Sequence, residues 1–73
     1  STADVQELIS YIRWIHSEFK LTIWMIEHQM QVIMSLCDTI KVIDFGSEIA
    51  YGGPADIRNN PRVIKAYLGD GEI

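Results

Sequence analysis

Leu21-Thr22-Ile23-Trp24-Met25-Ile26-Glu27-His28 is the stretch on which the fold turns. Its first six residues are rich in β-branched and aromatic types and are apolar on both alternating faces. That pattern suits a parallel strand buried on both sides better than an edge strand. Glu27 and His28 close it. On its N-terminal side, Val5, Leu8, Ile9, Ile12, Ile15 and Phe19 follow the i, i+3, i+4, i+7 rhythm of an amphipathic helix, with Gln6, Glu7, Ser10, Arg13 and Ser17 filling the other side. Ser1 followed by Asp4 resembles a capping box, which starts this helix almost at the first residue.

On the C-terminal side, Met30, Ile33, Met34 and Cys37 return to helical spacing, and Asp38-Thr39 breaks it before a second strand, Ile40 to Phe45. Gly46 can take the positive φ of a tight turn, so Glu48 to Tyr51 is expected back as an antiparallel partner. Pro54 after Gly52-Gly53, and Pro61 after Asn60, mark two helix starts. Val63, Ile64, Tyr67 and Leu68 form an apolar stripe that Gly69 stops, with 70–73 as a frayed tail. The expected order is α-β-α-β-β-α-α, an α/β arrangement of two parallel strands joined by a right-handed crossover plus an antiparallel hairpin partner. A strand apolar on both faces needs strand neighbours and two helical layers, and only two other strands are at hand. The whole of 1–73 therefore reads as the last part of a larger α/β domain.

Composition agrees with a piece that wants a core. The 73 residues are 48% hydrophobic and 22% charged, a globular balance, yet a chain of this size buries only about 60% of its unfolded surface. The single cysteine excludes an intramolecular disulfide, and Cys37, His16 and His28 are too few and too irregularly spaced for a structural zinc site. A net charge of -4 with six scattered cations weighs against nucleic-acid binding. No charged n-region precedes an apolar segment, so no signal peptide is read, and the free thiol suits a reducing compartment. Leu21 to Cys37 falls short of the roughly 20 apolar residues of a membrane span and carries Glu27, His28, Gln29 and Gln31 at its centre.

Several residues invite a chemical reading. His28 stands where the strand should end, and in open parallel sheets ligands gather outside the carboxyl ends of strands. Glu27 and His28 make a poor acid-base pair, because neighbours on a strand point to opposite faces. Cys37 reads as packing rather than as a nucleophile, and His16 as a side chain favoured by the negative end of its helix. Met25, Met30, Met34, Trp14 and Trp24 read as core or covered surface. Gly52-Gly53 is too short to cradle phosphate, and no G-x-x-x-x-G-K-[ST] element occurs.

From Ile26-Glu27-His28-Gln29-Met30 through Cys37-Asp38, Ile40 to Gly46 and Ile49-Ala50-Tyr51-Gly52-Gly53-Pro54, the chain resembles the C-terminal part of an ATP-binding cassette (ABC) ATPase, a P-loop ATPase domain. The ending Ile57-Arg58-Asn59-Asn60-Pro61-Arg62-Val63-Ile64-Lys65-Ala66-Tyr67-Leu68-Gly69 is similar to the ATP-binding subunit of a branched-chain amino-acid importer. The resemblance implies that His28 is the switch histidine that contacts the γ-phosphate of ATP. It also implies ATP and Mg2+ as cofactors of the intact protein, and a second ATPase subunit and transmembrane permease subunits as partners. The implied location is the cytoplasmic face of the membrane. Ser1 and Thr2 would fall in the segment that crosses towards the partner subunit, although Ser1 replaces the usual acidic or amide residue, and Gln29 replaces the usual acidic residue after the Glu-His pair. The phosphate-binding loop, signature motif, magnesium-binding aspartate and catalytic glutamate would precede Ser1, so the 73 residues alone are expected to be inactive. Two competing expectations are an autonomous α/β module that binds a partner or itself through its unpaired apolar face, and a thiol or metal site built from Cys37, His16 and His28.

Overall fold

The computed structural model describes residues 1–68. The expected helix stop at Gly69 and the tail 70–73 lie outside these residues. The chain divides into two compact units, Ser1–Leu36 and Cys37–Ile73.

The first unit contains helices α1 (Thr2–Phe19) and α2 (Met30–Leu36). The Ser1 hydroxyl accepts from the Asp4 amide at 3.3 Å and donates to its carboxylate at 3.0 Å, so the predicted cap forms. At the other end Lys20 takes the left-handed conformation at φ 52°, and the Leu21 amide donates back to the His16 carbonyl at 3.3 Å. This is the usual way to satisfy a last-turn carbonyl, achieved here without the glycine that makes it inexpensive. Ile9 is buried and Val5, Ile12 and Ile15 are half-buried, as their spacing predicts; Leu8 and Phe19, placed on the same stripe by periodicity, are exposed. The helix packs against α2, and the Arg13 guanidinium donates to the Ser35 carbonyl at 2.7 Å. The residue α2 buries is Val32, while Ile33 and Met34 are half-buried and Cys37 lies beyond the helix end.

The expected strand Leu21 to Ile26 does not form. Both strands of the described residues pair with each other in one antiparallel sheet, so the predicted parallel pair and its crossover are absent too. A strand exists through ladder hydrogen bonds to neighbours, and 21–26 has none to bond. Four of its five apolar residues, Leu21, Ile23, Trp24 and Ile26, accordingly stay exposed, Trp24 at 86% and Ile26 at 84%. Trp14 and Trp24, read as core or covered surface, are both exposed, whereas Met25 and Met30 are half-buried.

The second unit is built on strands β1 (Ile40–Asp44) and β2 (Ser47–Gly52), in the register Ile40 to Gly52, Lys41 to Tyr51 and Asp44 to Ser47, with a bulge between Val42 and Ile43. Phe45 and Gly46 form the two-residue turn, both with positive φ, 49° and 78°. Two left-handed residues in succession match the right-handed twist of the hairpin. Helices α3 (Pro54–Arg58) and α4 (Pro61–Val63) start at the predicted prolines, and α4 runs on into a π-helical turn, Ile64–Leu68. The Asn60 carboxamide accepts from the Arg62 and Val63 amides at 2.8 and 3.3 Å. Ile40, Val42, Ile57, Val63 and Leu68 make the core of this unit. Tyr67, predicted on the apolar stripe, is exposed and its hydroxyl donates to the Ile43 carbonyl. The mixed α/β character thus holds in the order α-α-β-β-α-α.

Candidate functional site

Glu27, His28 and Gln29 lie at the entrance to α2. The Gln29 carbonyl accepts from the Val32 and Ile33 amides at 3.1 and 3.3 Å, which makes Gln29 the capping position of the helix. The two amides just before the helix, those of His28 and Gln29, are satisfied by one carboxylate oxygen: Glu27 Oε1 accepts from them at 2.9 and 3.2 Å. The His28 amide holds the Glu27 carboxyl below its usual range, with smaller help from the Gln29 amide and the His28 charge against a small cost of burial.

The consequence for His28 is positional. Glu27 fixes the backbone on which His28 stands, while its own carboxylate is turned to that backbone rather than to the imidazole. Nε2 of His28 lies 3.9 Å from Glu27 Oε1, beyond hydrogen-bond distance, and the His28 side chain is 90% exposed. Glu27 and His28 therefore do not form an acid-base couple, although not for the reason of opposed strand faces, since no strand is present. What the arrangement offers is a single imidazole presented to solvent at the start of a helix. An N–H there can donate to one anionic oxygen.

The other candidates carry less. Burial pushes the Cys37 thiol up, with the neighbouring Asp38 charge adding to it, the opposite of what a nucleophile needs. His16 sits in the last turn of α1, where its carbonyl takes the Lys20 and Leu21 amides. No group of three His, Cys, Asp or Glu side chains among the described residues could hold a metal ion. Gly52 and Gly53 lead into the five-residue α3; a Cβ at Gly52 would stand 3.4 Å from the Asp56 side chain and one at Gly53 3.7 Å from the Asp38 carbonyl oxygen, ordinary contacts that require glycine at neither position. No described helix is long and apolar enough to cross a membrane. The residue that sequence reasoning missed is Glu27 as the support of α2. An acidic residue just ahead of a helical stripe was the available signal.

Residues 48–73 match the family described as branched-chain amino acid ATP-binding cassette transporter. Over 69 residues, 94% of the chain, it is 48% identical to the high-affinity branched-chain amino acid transport ATP-binding protein BraF of Pseudomonas aeruginosa. The chain is similar to ATP-binding proteins of branched-chain amino-acid transport. The corresponding protein LivG of Escherichia coli is 45% identical over the same length, and the methionine import ATP-binding protein MetN of Burkholderia thailandensis 37% over 65 residues, 86% of the chain. The chain spans about a quarter or less of the length of the curated relatives it matches here, 26% of BraF and of LivG and 19% of MetN. No solved structure matches it. These likenesses favour the ATPase reading over an autonomous interaction module.

Proposed function

We propose that the chain is the C-terminal part of the nucleotide-binding domain of an ABC ATPase, whose intact protein hydrolyses ATP to drive import of branched-chain amino acids. The observation that carries this reading is the 45–48% identity to LivG and BraF over 69 of the 73 residues, a span that takes in the Glu27-His28 pair. In this reading Leu21 to Ile26 becomes a strand once the rest of the domain supplies neighbours for its backbone. Its apolar, exposed side chains are what such an insertion would cover.

His28 is the residue through which this segment touches the chemistry. As the switch histidine it donates an imidazole N–H to an oxygen of the terminal phosphate, and it loses that acceptor when the phosphate leaves. Glu27 is a positioning residue: by holding the His28 and Gln29 amides it sets where the imidazole stands. Mg2+ supplies charge neutralisation on the transferring phosphoryl group. The donor set of this chain fits the phosphate contact alone. In this reading the oxygen ligands that Mg2+ takes belong to the rest of the intact domain. The 73 residues by themselves accordingly neither bind Mg-ATP tightly nor hydrolyse it. The partners are a second ATPase subunit, which completes the nucleotide site, and permease subunits at the cytoplasmic face of the membrane.

The test uses the intact protein and the segment side by side. His28→Ala in the intact ATPase should lower turnover by about a hundredfold with ATP affinity little changed, because one preorganised donor to developing charge is lost. Turnover equal to wild type would remove the assignment of His28. The 73-residue chain, titrated with Mg-ATP by calorimetry, should show no saturable binding. A tight complex would overturn its reading as an incomplete domain.

A further inference from the structure

Helix α2 is gripped at both ends. At its entrance the Glu27 carboxylate accepts from the His28 and Gln29 amides at 2.9 and 3.2 Å. At its far end the Ser35 carbonyl, one of the last-turn acceptors that a helix leaves without an intrahelical donor, accepts from the Arg13 guanidinium of α1 at 2.7 Å. Among the described residues this is the one hydrogen bond that joins α1 to α2. Arg13 has no competing acid on its own helix, because the positions three and four residues away are Ile9, Ser10, His16 and Ser17. Its charge therefore goes to a neutral carbonyl, at the end of α2 that favours a cation.

A seven-residue helix is too short to persist on its own hydrogen bonds, so its place is set by what it packs on. Val32 is the residue that α2 buries and Ile9 the one that α1 buries, and apolar burial is non-directional. Ile9 and Arg13 stand four apart on α1, and Val32 and Ser35 three apart on α2, so on each helix the directional contact lies beside the buried residue. Burial holds α2 against α1, and the Arg13 bond fixes its tilt. That tilt reaches the imidazole. Gln29 lies three residues before Val32, roughly 5 Å along the helix, so a tilt of about 6° about Val32 moves the backbone beside His28 by about 0.5 Å. Groups of a catalytic site must be held to about that tolerance.

We infer that Arg13 is a positioning residue for His28, acting through α2: its bond to the Ser35 carbonyl sets the tilt of the helix at whose entrance the imidazole stands. The inference rests on the reading of His28 as the γ-phosphate contact.

The test is a double-variant cycle in the intact ATPase, read as kcat and as KM for ATP. Arg13→Met keeps an apolar stem and removes the donor; it should lower kcat about tenfold with KM little changed. Arg13→Lys, which keeps a cationic donor on a flexible stem, should recover most of that loss. In the His28→Ala background Arg13→Met should cost nothing further, since the group it positions is gone. Wild-type kcat in Arg13→Met, a loss that adds in full to that of His28→Ala, or no recovery in Arg13→Lys would overturn the proposal and leave the ATPase reading standing. So would an Arg13→Met protein that loses ATP affinity or its circular dichroism, the mark of a merely structural role. Wild-type turnover in His28→Ala, by contrast, would remove the reading of the site and this inference with it.

Discussion

Phe45→Asn should make the chain more stable, although it removes a large aromatic. Phe45 occupies the first position of a two-residue turn at φ 49° and is fully exposed, so its ring contributes no burial and its backbone sits where an L-residue pays for its Cβ. That conformation costs about 1–2 kcal/mol for most residues and much less for asparagine, whose short polar side chain bonds locally. The expected gain is therefore about 0.5–1 kcal/mol, or roughly 3–6 °C in melting temperature for a domain of this size. Urea and thermal unfolding followed by circular dichroism would measure it. Phe45→Ala is the control: it removes the ring but keeps the Cβ, and should leave stability within about 0.5 kcal/mol of wild type. If Ala stabilised as much as Asn, exposure of the ring rather than backbone strain would be the cause. A loss of stability in both variants would show that the ring packs, and the reasoning would fail.

Lys20→Gly removes the other left-handed non-glycine residue, the cap of α1 at φ 52°, and should stabilise that helix by about 0.5–1 kcal/mol, seen as a raised urea midpoint at unchanged slope. Val63→Ala empties a fully buried site in the second unit and should cost about 2 kcal/mol by the same measurement. Glu27 titrates below its usual range, so its support of α2 is complete above pH 4.5 and is lost as the pH falls through the lowered value. Protection factors at Val32 and Ile33, which correct the exchange rate for its intrinsic value at each pH, should therefore fall on acidification below that point, and in Glu27→Gln they should not change over the same range.

Local signals carried much of the architecture. Ser1 and Asp4 cap α1, Pro54 and Pro61 open helices where they stand, and Gly46 closes a hairpin, because each of these features acts through bonds within four residues. His28 was legible as a candidate from its place after an apolar run, and Glu27 was misread. Its place after the apolar run reads as the close of a strand, yet one of its carboxylate oxygens accepts from two backbone amides. That choice depends on where α2 begins, which side-chain identity alone does not reveal.

Residue order by itself determined the local elements, the acidic balance and the likeness to ATP-binding cassette proteins, since periodicity, caps and charge are properties of neighbours along the chain. Only the tertiary structure decided the fate of Leu21 to Ile26. A helix satisfies its own backbone, so α1 forms on its own sequence. A strand satisfies its backbone on others, and among the described residues 21–26 bonds to no neighbouring strand. The same distinction explains α1's two faces: periodicity located the buried side at Ile9, and only packing showed that Tyr11, Trp14 and Phe19 remain outside.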